Sequence, residues 1–585
     1  MESSFAWQNY HRFQTWRDDP YTLRHADVIR ILNDLQAVDS VTMQVTEVGR
    51  SFEQRAISLV TIGGGPKKLL LWSQMHGDEP THTVVLLDLL KFLQSEPFDP
   101  RARTILENCT LAMIPMLNPD GAEQLTRRNS QQIDINRDAR DLQTPEGRIL
   151  RQVVNEFKPD FGFNLHNQNR RTAVNSAGDL AAVSLLVPPL DVSDTQTPQT
   201  RDAARVAATF LQSISPYCPQ NFSRYDADYM ARAFGEWVQT SGTRTVLVEA
   251  GGWKPPTGAT REQLHFTGMF ATIHAIATGE YASADPAEYD RLPRSHEHSA
   301  VELMIRDTWL LRTFSGAAYQ ADIGINMSND LRPLDHDARG TIVDWGDLSV
   351  QGGIREINAA DFAATSLICV PGMIRFVENW NDDPDAARSQ SSHLLSQGVT
   401  TALIPIDLDN AEACQHWQDS SHRQQPIHLA CIGVGRPLRL PPSSLATRRL
   451  LQMVSAGMLA VHDTEVHPEI EAYLNALEIP ILNRHELFGC EIGDSEEPPV
   501  SVVDNLKRHE RLRMRLKLHR HGLLGLGQSA DICLLQCDPA PQVENLAWSA
   551  LRCAIVDGVI AWSNGQLLDD ARGTIIRRAE AAGCR

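Results

Sequence analysis

Four short apolar runs in the first half of the chain limit what it can become: Leu69-Leu70-Leu71-Trp72, Thr110–Met116, Phe161–Leu165 and Thr245–Val248. Each has the length and texture of a buried central strand. Between them lie segments of helical spacing. Pro80 opens one at a position that tolerates proline, and Val84–Leu93 fill it. Thr144-Pro145-Glu146 starts another, in which Ile149, Leu150, Val153, Val154 and Phe157 recur at helical intervals. Strands alternating with helices imply an α/β domain whose sheet is covered on both faces. Ligands in such folds gather beyond the carboxyl ends of the strands. Gly63-Gly64-Gly65-Pro66 lacks the Lys-Ser/Thr and following helix of a phosphate loop, and its composition predicts a hairpin turn.

At 585 residues the chain exceeds one ordinary core, so at least two domains are expected. The polar stretch Ala282–His298, with Pro286 and Pro293, marks the boundary. We place one domain at 1–285, a linker at 286–300 and a second domain at 301–585. A net charge of −19 argues against a nucleic-acid partner, whose phosphates need a basic face. No apolar run reaches the roughly 20 residues of a membrane span. The charged start, Met1–Pro20, does not read as a secretory leader. The ten cysteines are scattered without metal-ligand spacing, so reduced thiols and a cytoplasmic location are the expectation.

Several of the strand-like runs end in residues that carry chemistry. Trp72–Glu79 runs off a strand into a turn, and His76 and Glu79, three apart, can aim at one point. Ninety residues later His166 closes Phe163-Asn164-Leu165. Two histidines and a glutamate give zinc three protein ligands and leave a fourth position open, the arrangement of a catalytic site. Glu249 ends the run Thr245–Val248 and suits a general base toward water. Between the ligand segments lie Asn118-Pro119-Asp120-Gly121, a turn by composition, then Arg127 and Asp134-Ile135-Asn136-Arg137. Asn136 and Arg137 suit a clamp on a substrate carboxylate. Arg127 suits stabilisation of an oxyanion. Asp134 suits orientation of a metal-bound histidine.

In this order and context, His76-x-x-Glu79, Asn118-Pro119-Asp120-Gly121, Arg127, Asp134-x-Asn136-Arg137, His166 and Glu249 resemble the zinc metallocarboxypeptidases, the carboxypeptidase A-like family. The resemblance covers roughly residues 40–280. It implies an α/β/α fold with a mixed central sheet and one zinc ion on His76, Glu79 and His166. It further implies carboxylate binding by Asn136 and Arg137, carbonyl polarisation by Arg127 and base catalysis by Glu249. The family also has a tyrosine about twenty residues before the base that closes over substrate; Tyr225 and Tyr229 both qualify.

The second half resembles the metal-dependent amidohydrolases at Ala321–Ile325, Val370-Pro371-Gly372-Met373-Ile374, Gly398–Thr401, Gly527–Ile532 and Val556-Asp557-Gly558. In active members the Pro-Gly-x-Ile run leads into Asp-x-His-x-His, whereas here Val377 and Asn379 stand where the histidines belong. From Pro371 to Leu523 the chain is too short for a whole TIM barrel. The expectation is a shortened, non-catalytic amidohydrolase-like domain flanked by a small β-sandwich, suited to shielding, self-association (a homo-oligomer) or control of access to the cleft. For the whole chain the leading expectation is a zinc metallopeptidase acting at a free C-terminus. The alternatives are a zinc amidase or deacylase acting on cell-wall peptides or N-acyl amino acids, and a non-catalytic scaffold.

Overall fold

The computed structural model describes residues 2–38, 43–96, 98–175, 178–225, 228–256, 258–295 and 300–311. Farther along it describes shorter stretches, chiefly 318–327, 340–358, 366–371, 373–376, 384–396, 399–408, 428–434, 466–476, 479–482, 531–537, 551–556 and 559–563. The chain divides into two compact units, the first essentially Met1–Ala300 and the second drawn from Val301 onward.

The first unit is built on an 8-stranded mixed sheet. Its strands are β1 (Met43–Arg50), β2 (Ala56–Ile62), β3 (Lys67–Ser73), β4 (Cys109–Ile114), β5 (Phe161–Asn167), β6 (Val183–Leu186), β7 (Phe222–Arg224) and β8 (Arg244–Ala250). They lie in the order β1-β2-β4-β3-β5-β8-β6-β7. The centre, β4-β3-β5-β8, is parallel, while β2 runs antiparallel to β4 and β6 antiparallel to β8. The helices are α1 (Glu2–Phe13), α2 (His25–Val38), α3 (Thr81–Ser95), α4 (Pro100–Asn108), α5 (Pro119–Gln124), α6 (Pro145–Phe157), α7 (Pro198–Ile214), α8 (Phe234–Thr240), α9 (Arg261–Thr278) and α10 (Ala287–Asp290).

Period-two alternation along the strands divides the apolar side chains between two cores. Leu69 and Leu71 of β3 join Phe163 and Leu165 of β5 in a cluster with α1, α3, α7 and α9. Leu70 and Trp72 turn the other way, onto Ile149, Leu150, Val153 and Val154 of α6 and Phe234 and Val238 of α8. Helix α6 begins as its sequence asks: Thr144 accepts from the Gly147 N–H and Pro145 occupies the first turn.

The Gly63–Pro66 turn departs from the expected hairpin. Strands β2 and β3 are not neighbours, because β4 inserts between them. The turn crosses the start of β4 instead, with Gly65 N–H donating to Cys109 O at 3.1 Å. A side chain on Gly65 would meet the Asn108 backbone at 2.0 Å, so close passage of two backbones requires the glycine. The stretch expected as a linker also has structure: α10 packs on the first unit, with Tyr289 buried and its hydroxyl accepting from the Val187 N–H at 2.8 Å.

In the second unit, strands of the two expected β-like flanks, from Ala300–Leu310 to Gly352–Asn358 and from Ile532–Cys537 to Gln566–Leu567, belong to one 9-stranded sheet. Ser366–Pro371 pairs antiparallel with Ile532–Cys537. The segment between them supplies a 5-stranded sheet, Met373–Phe376, Val399–Asp407, His428–Val434, Ala460–His462 and Ile481–Leu482, parallel throughout. Val377 and Asn379, and the landmark at 527–530, lie outside the described residues. Among the described residues no helix is long and apolar enough to cross a membrane.

Candidate active site

Strands β3, β5 and β8 are parallel neighbours, so their carboxyl ends open on one side of the sheet. Beyond β3 the chain turns sharply: Gln74 takes a positive φ of 49°, and Gly77 passes against the backbone of Gly121, where a Cβ would stand 2.0 Å from a carbonyl carbon. This gives Asn118-Pro119-Asp120-Gly121 a task beyond turning. Asn118 caps α5 by accepting from the Gly121 N–H, and its Nδ2 donates to Met75 O at 3.2 Å. The turn that carries His76 and Glu79 is therefore buttressed by the start of α5.

Among the described residues, His76, Glu79 and His166 form the one cluster able to hold a metal, with donor atoms within 4.8 Å of one another. All three are 2% exposed. His76 Nδ1 and His166 Nδ1 lie 3.2 Å apart, and Glu79 places Oε1 and Oε2 at 2.8 Å from each in turn. Zinc with nitrogen ligands at about 2.0–2.1 Å in tetrahedral geometry separates two ligand atoms by about 3.3 Å. Two imidazole nitrogens and a carboxylate at these separations fit that ion. His76 Nε2 faces Asp134 Oδ1 at 3.1 Å, while its Nδ1 faces the cluster. Asp134 also caps its own turn by accepting from the Asn136 N–H at 2.9 Å.

Charge in the cluster is mutually sustained. Burial opposes protonation of His76, but Glu79 and Asp134 outweigh it and raise the ring to about 9. Burial likewise works against the Glu79 carboxylate, yet the two histidines hold it well below the usual range. Asp134, despite burial, is lowered by His76 and Arg127. Burial lowers His166. A buried carboxylate set this way calls for a positive centre, which a proton or a metal cation supplies.

The cluster lines a cleft of about 450 Å³. Arg127, Asn136, Arg137 and Glu249 line the same cleft. Arg127 pairs with Asp134 Oδ2 at 3.1 Å and brings Nη1 to 3.4 Å from Glu79 Oε1. Arg137 Nη1 donates to Asn136 O at 2.8 Å, and Asn136 Oδ1 accepts from the Phe234 N–H at 3.0 Å. The turn that carries both is thereby tied to the start of α8. Glu249 is the register partner of His166 across β5 and β8 and is 6% exposed. Of the two tyrosines, Tyr225 lines this cleft, whereas Tyr229 lines a neighbouring cavity of about 150 Å³ that Tyr225 also borders. Leu186, Met230 and Leu247 add apolar wall, and Asp228 and Glu236 add two carboxylates that sequence reasoning missed. Asn167, also missed, donates its backbone N–H to Glu79 Oε2 at 3.1 Å. Its position immediately after His166 was the available signal.

Residues 28–245 match the family model described as zinc carboxypeptidase. Glu249 lies just past that span. Among curated proteins, carboxypeptidase Z of Mus musculus is 27% identical over 139 residues, which are 20% of this chain and 21% of that protein. Carboxypeptidase SOL1 of Arabidopsis thaliana is 29% identical over 119 residues, 19% of this chain and 24% of that protein. The chain thus spans between a fifth and a quarter of these relatives' lengths. Among solved structures, a metallo-carboxypeptidase from Burkholderia cenocepacia aligns at a TM-score of 0.37 with 22% identity, over 44% of this chain and 69% of that one. A metallo-carboxypeptidase from Pseudomonas aeruginosa aligns at 0.35 with 18% identity, over 44% and 69%. The match to the zinc carboxypeptidase model at residues 28–245 takes in all three residues of the metal cluster.

Proposed function

We propose that the first unit is a zinc-dependent metallopeptidase that hydrolyses the peptide bond at a free C-terminus. One observation carries this reading: in a single cleft, a His-Glu-His donor set shares the lining with a carboxylate, Glu249, and with the cations Arg127 and Arg137. His76, Glu79 and His166 hold the metal. A zinc ion there supplies Lewis acidity toward a carbonyl and lowers the pKa of water.

The chain's own groups divide the remaining work. Arg137, with Asn136 beside it, receives the terminal carboxylate of the substrate; a guanidinium offers parallel N–H donors that match a carboxylate's two oxygens. That contact sets which bond lies over the cluster. Arg127 stabilises the negative charge that builds on the carbonyl oxygen as water adds. Glu249 takes the proton from the attacking water and returns it to the departing amine. Tyr225 borders the cleft and is the better placed of the two tyrosines to cover a bound substrate. A deacylase of N-acyl amino acids shares the hydrolytic groups and also takes a substrate with a free carboxylate, so the Asn136–Arg137 pair suits both and the choice between them falls to the substrates turned over.

Purified full-length protein loaded with zinc should be given peptide pairs that differ only in a free or amidated C-terminus, with products read by mass spectrometry. Loss of the last residue from the free acids alone is the expected result. Equal cleavage of the amides, or cuts confined to internal bonds, overturns the exopeptidase reading. Turnover of N-acyl amino acids with both peptides left intact points to the deacylase.

A further inference from the structure

The two histidines of the cluster are supported unequally. His76 is oriented from behind by Asp134, but His166 Nε2 is buried without a hydrogen-bond partner among the described residues. Nothing polar therefore fixes the His166 ring from its far side, and its placement rests on the backbone at the end of β5. That backbone is anchored one residue on, at Asn167. Its N–H donates to Glu79 Oε2 at 3.1 Å, while its side-chain Nδ2 donates to Thr81 Oγ1 at 2.8 Å and to Tyr21 Oη at 3.4 Å. Tyr21 is 4% exposed, in the short 3-10 turn Pro20–Thr22, and its hydroxyl is hydrogen-bonded to the guanidinium of Arg261. Arg261 opens α9 with a side chain only 19% exposed.

Four segments far apart in sequence thus meet behind the metal cluster, and Tyr21 and Arg261 both lie outside the span 28–245. The geometry points to a positioning role for these two residues: acting through Asn167, they hold Glu79 and His166 in the arrangement that binds the metal. Partners behind metal ligands act in this way, by restricting the orientations the ligands can take. Burial raises the Tyr21 hydroxyl, which keeps it a neutral dipole between the guanidinium and the amide. Arg261 stays charged throughout the accessible pH range, so the anchor does not titrate away.

This inference rests on the reading of His76, Glu79 and His166 as metal ligands. Its test is the zinc affinity of the folded full-length protein, measured by competition with a chromophoric chelator, alongside thermal unfolding of the metal-stripped form. The variants are Tyr21→Phe, Arg261→Met and Arg261→Lys. A merely structural role lowers the unfolding temperature and leaves the affinity of the folded protein where it was. A positioning role weakens zinc binding by about 10–100-fold in Tyr21→Phe and Arg261→Met. Arg261→Lys, which keeps a charged donor, should recover most of that loss. If Tyr21→Phe does not fold, the contrast between Met and Lys at 261 still decides. Unchanged affinity in Tyr21→Phe or Arg261→Met overturns the positioning role while leaving the metal centre intact. A parent protein that binds no zinc overturns the metal centre and this inference with it.

Discussion

Glu249 and His166 are register partners on adjacent parallel strands, so backbone pairing alone sets the carboxylate beside the donor cluster. It is not one of the three clustered donors. Glu249→Gln keeps the shape and removes the basicity. Zinc content should stay at the parent value while kcat falls by about 10²–10⁴-fold; near-normal kcat, or loss of zinc, would remove Glu249 from the base role. At this scale much of the candidate site was legible from the chain. His76, Glu79, His166 and Glu249 sit at or just beyond strand ends, and their chemistry is unusual for a surface position. Asn136, Arg137, Arg127 and Asp134 were legible because they share one short segment. Tyr21 and Arg261 were not, because only the fold brings residues 21, 167 and 261 together. Sequence also left Tyr225 and Tyr229 level, since spacing does not show which of two loop residues faces the cleft.

Helix α1 and Thr15 just beyond it are held to α3 by polar contacts. Asp88 of α3 accepts from the Tyr10 hydroxyl at 2.9 Å and from the Thr15 N–H and hydroxyl at 2.7 and 2.8 Å. Burial pushes the Asp88 carboxyl up to about 7, although the bonds from Thr15 and Tyr10 pull the other way. In the unfolded chain the same carboxyl ionises near pH 4, by analogy with about 3.9 for a free Asp. Between about 4 and about 7 the folded protein holds this proton more tightly than the unfolded chain does. The contribution to stability is thus fully present below the lower value and is lost as pH rises through the window. Asp88→Asn removes the titration. The difference in melting temperature between parent and variant should therefore change steadily from pH 5 to pH 7.5, in the variant's favour at the alkaline end. A difference that stays flat across that range would mean that Asp88 is ionised throughout. The elements themselves were largely legible: apolar runs gave β3, β4, β5 and β8, and helical spacing gave α3 and α6. Their pairing was less so. That β4 lies between β2 and β3 depends on contacts across the sheet, and the glycine turn looks the same in either arrangement.

The molecule carries its apolar cores in two sets. The clusters containing Leu71 and Trp72 draw all their members from the first unit, and those containing Ile404 and Ile325 draw theirs from the second. The metal cluster belongs wholly to the first. A ligand that binds only the folded state stabilises the unit that holds it, by about 4 kcal/mol when its free concentration is a thousand times the dissociation constant. For a unit of this size that is a shift on the order of 10 °C. Differential scanning calorimetry of the full chain, with saturating zinc and again after chelation, should then resolve two transitions of which one moves. The moving transition should be the one that His166→Ala renders insensitive to zinc, since that substitution removes a ligand from the first unit alone. A single transition, or two that move together, would show that the units unfold as one and that the division of cores does not extend to their stability. Two transitions that both ignore zinc would instead remove the metal from the first unit.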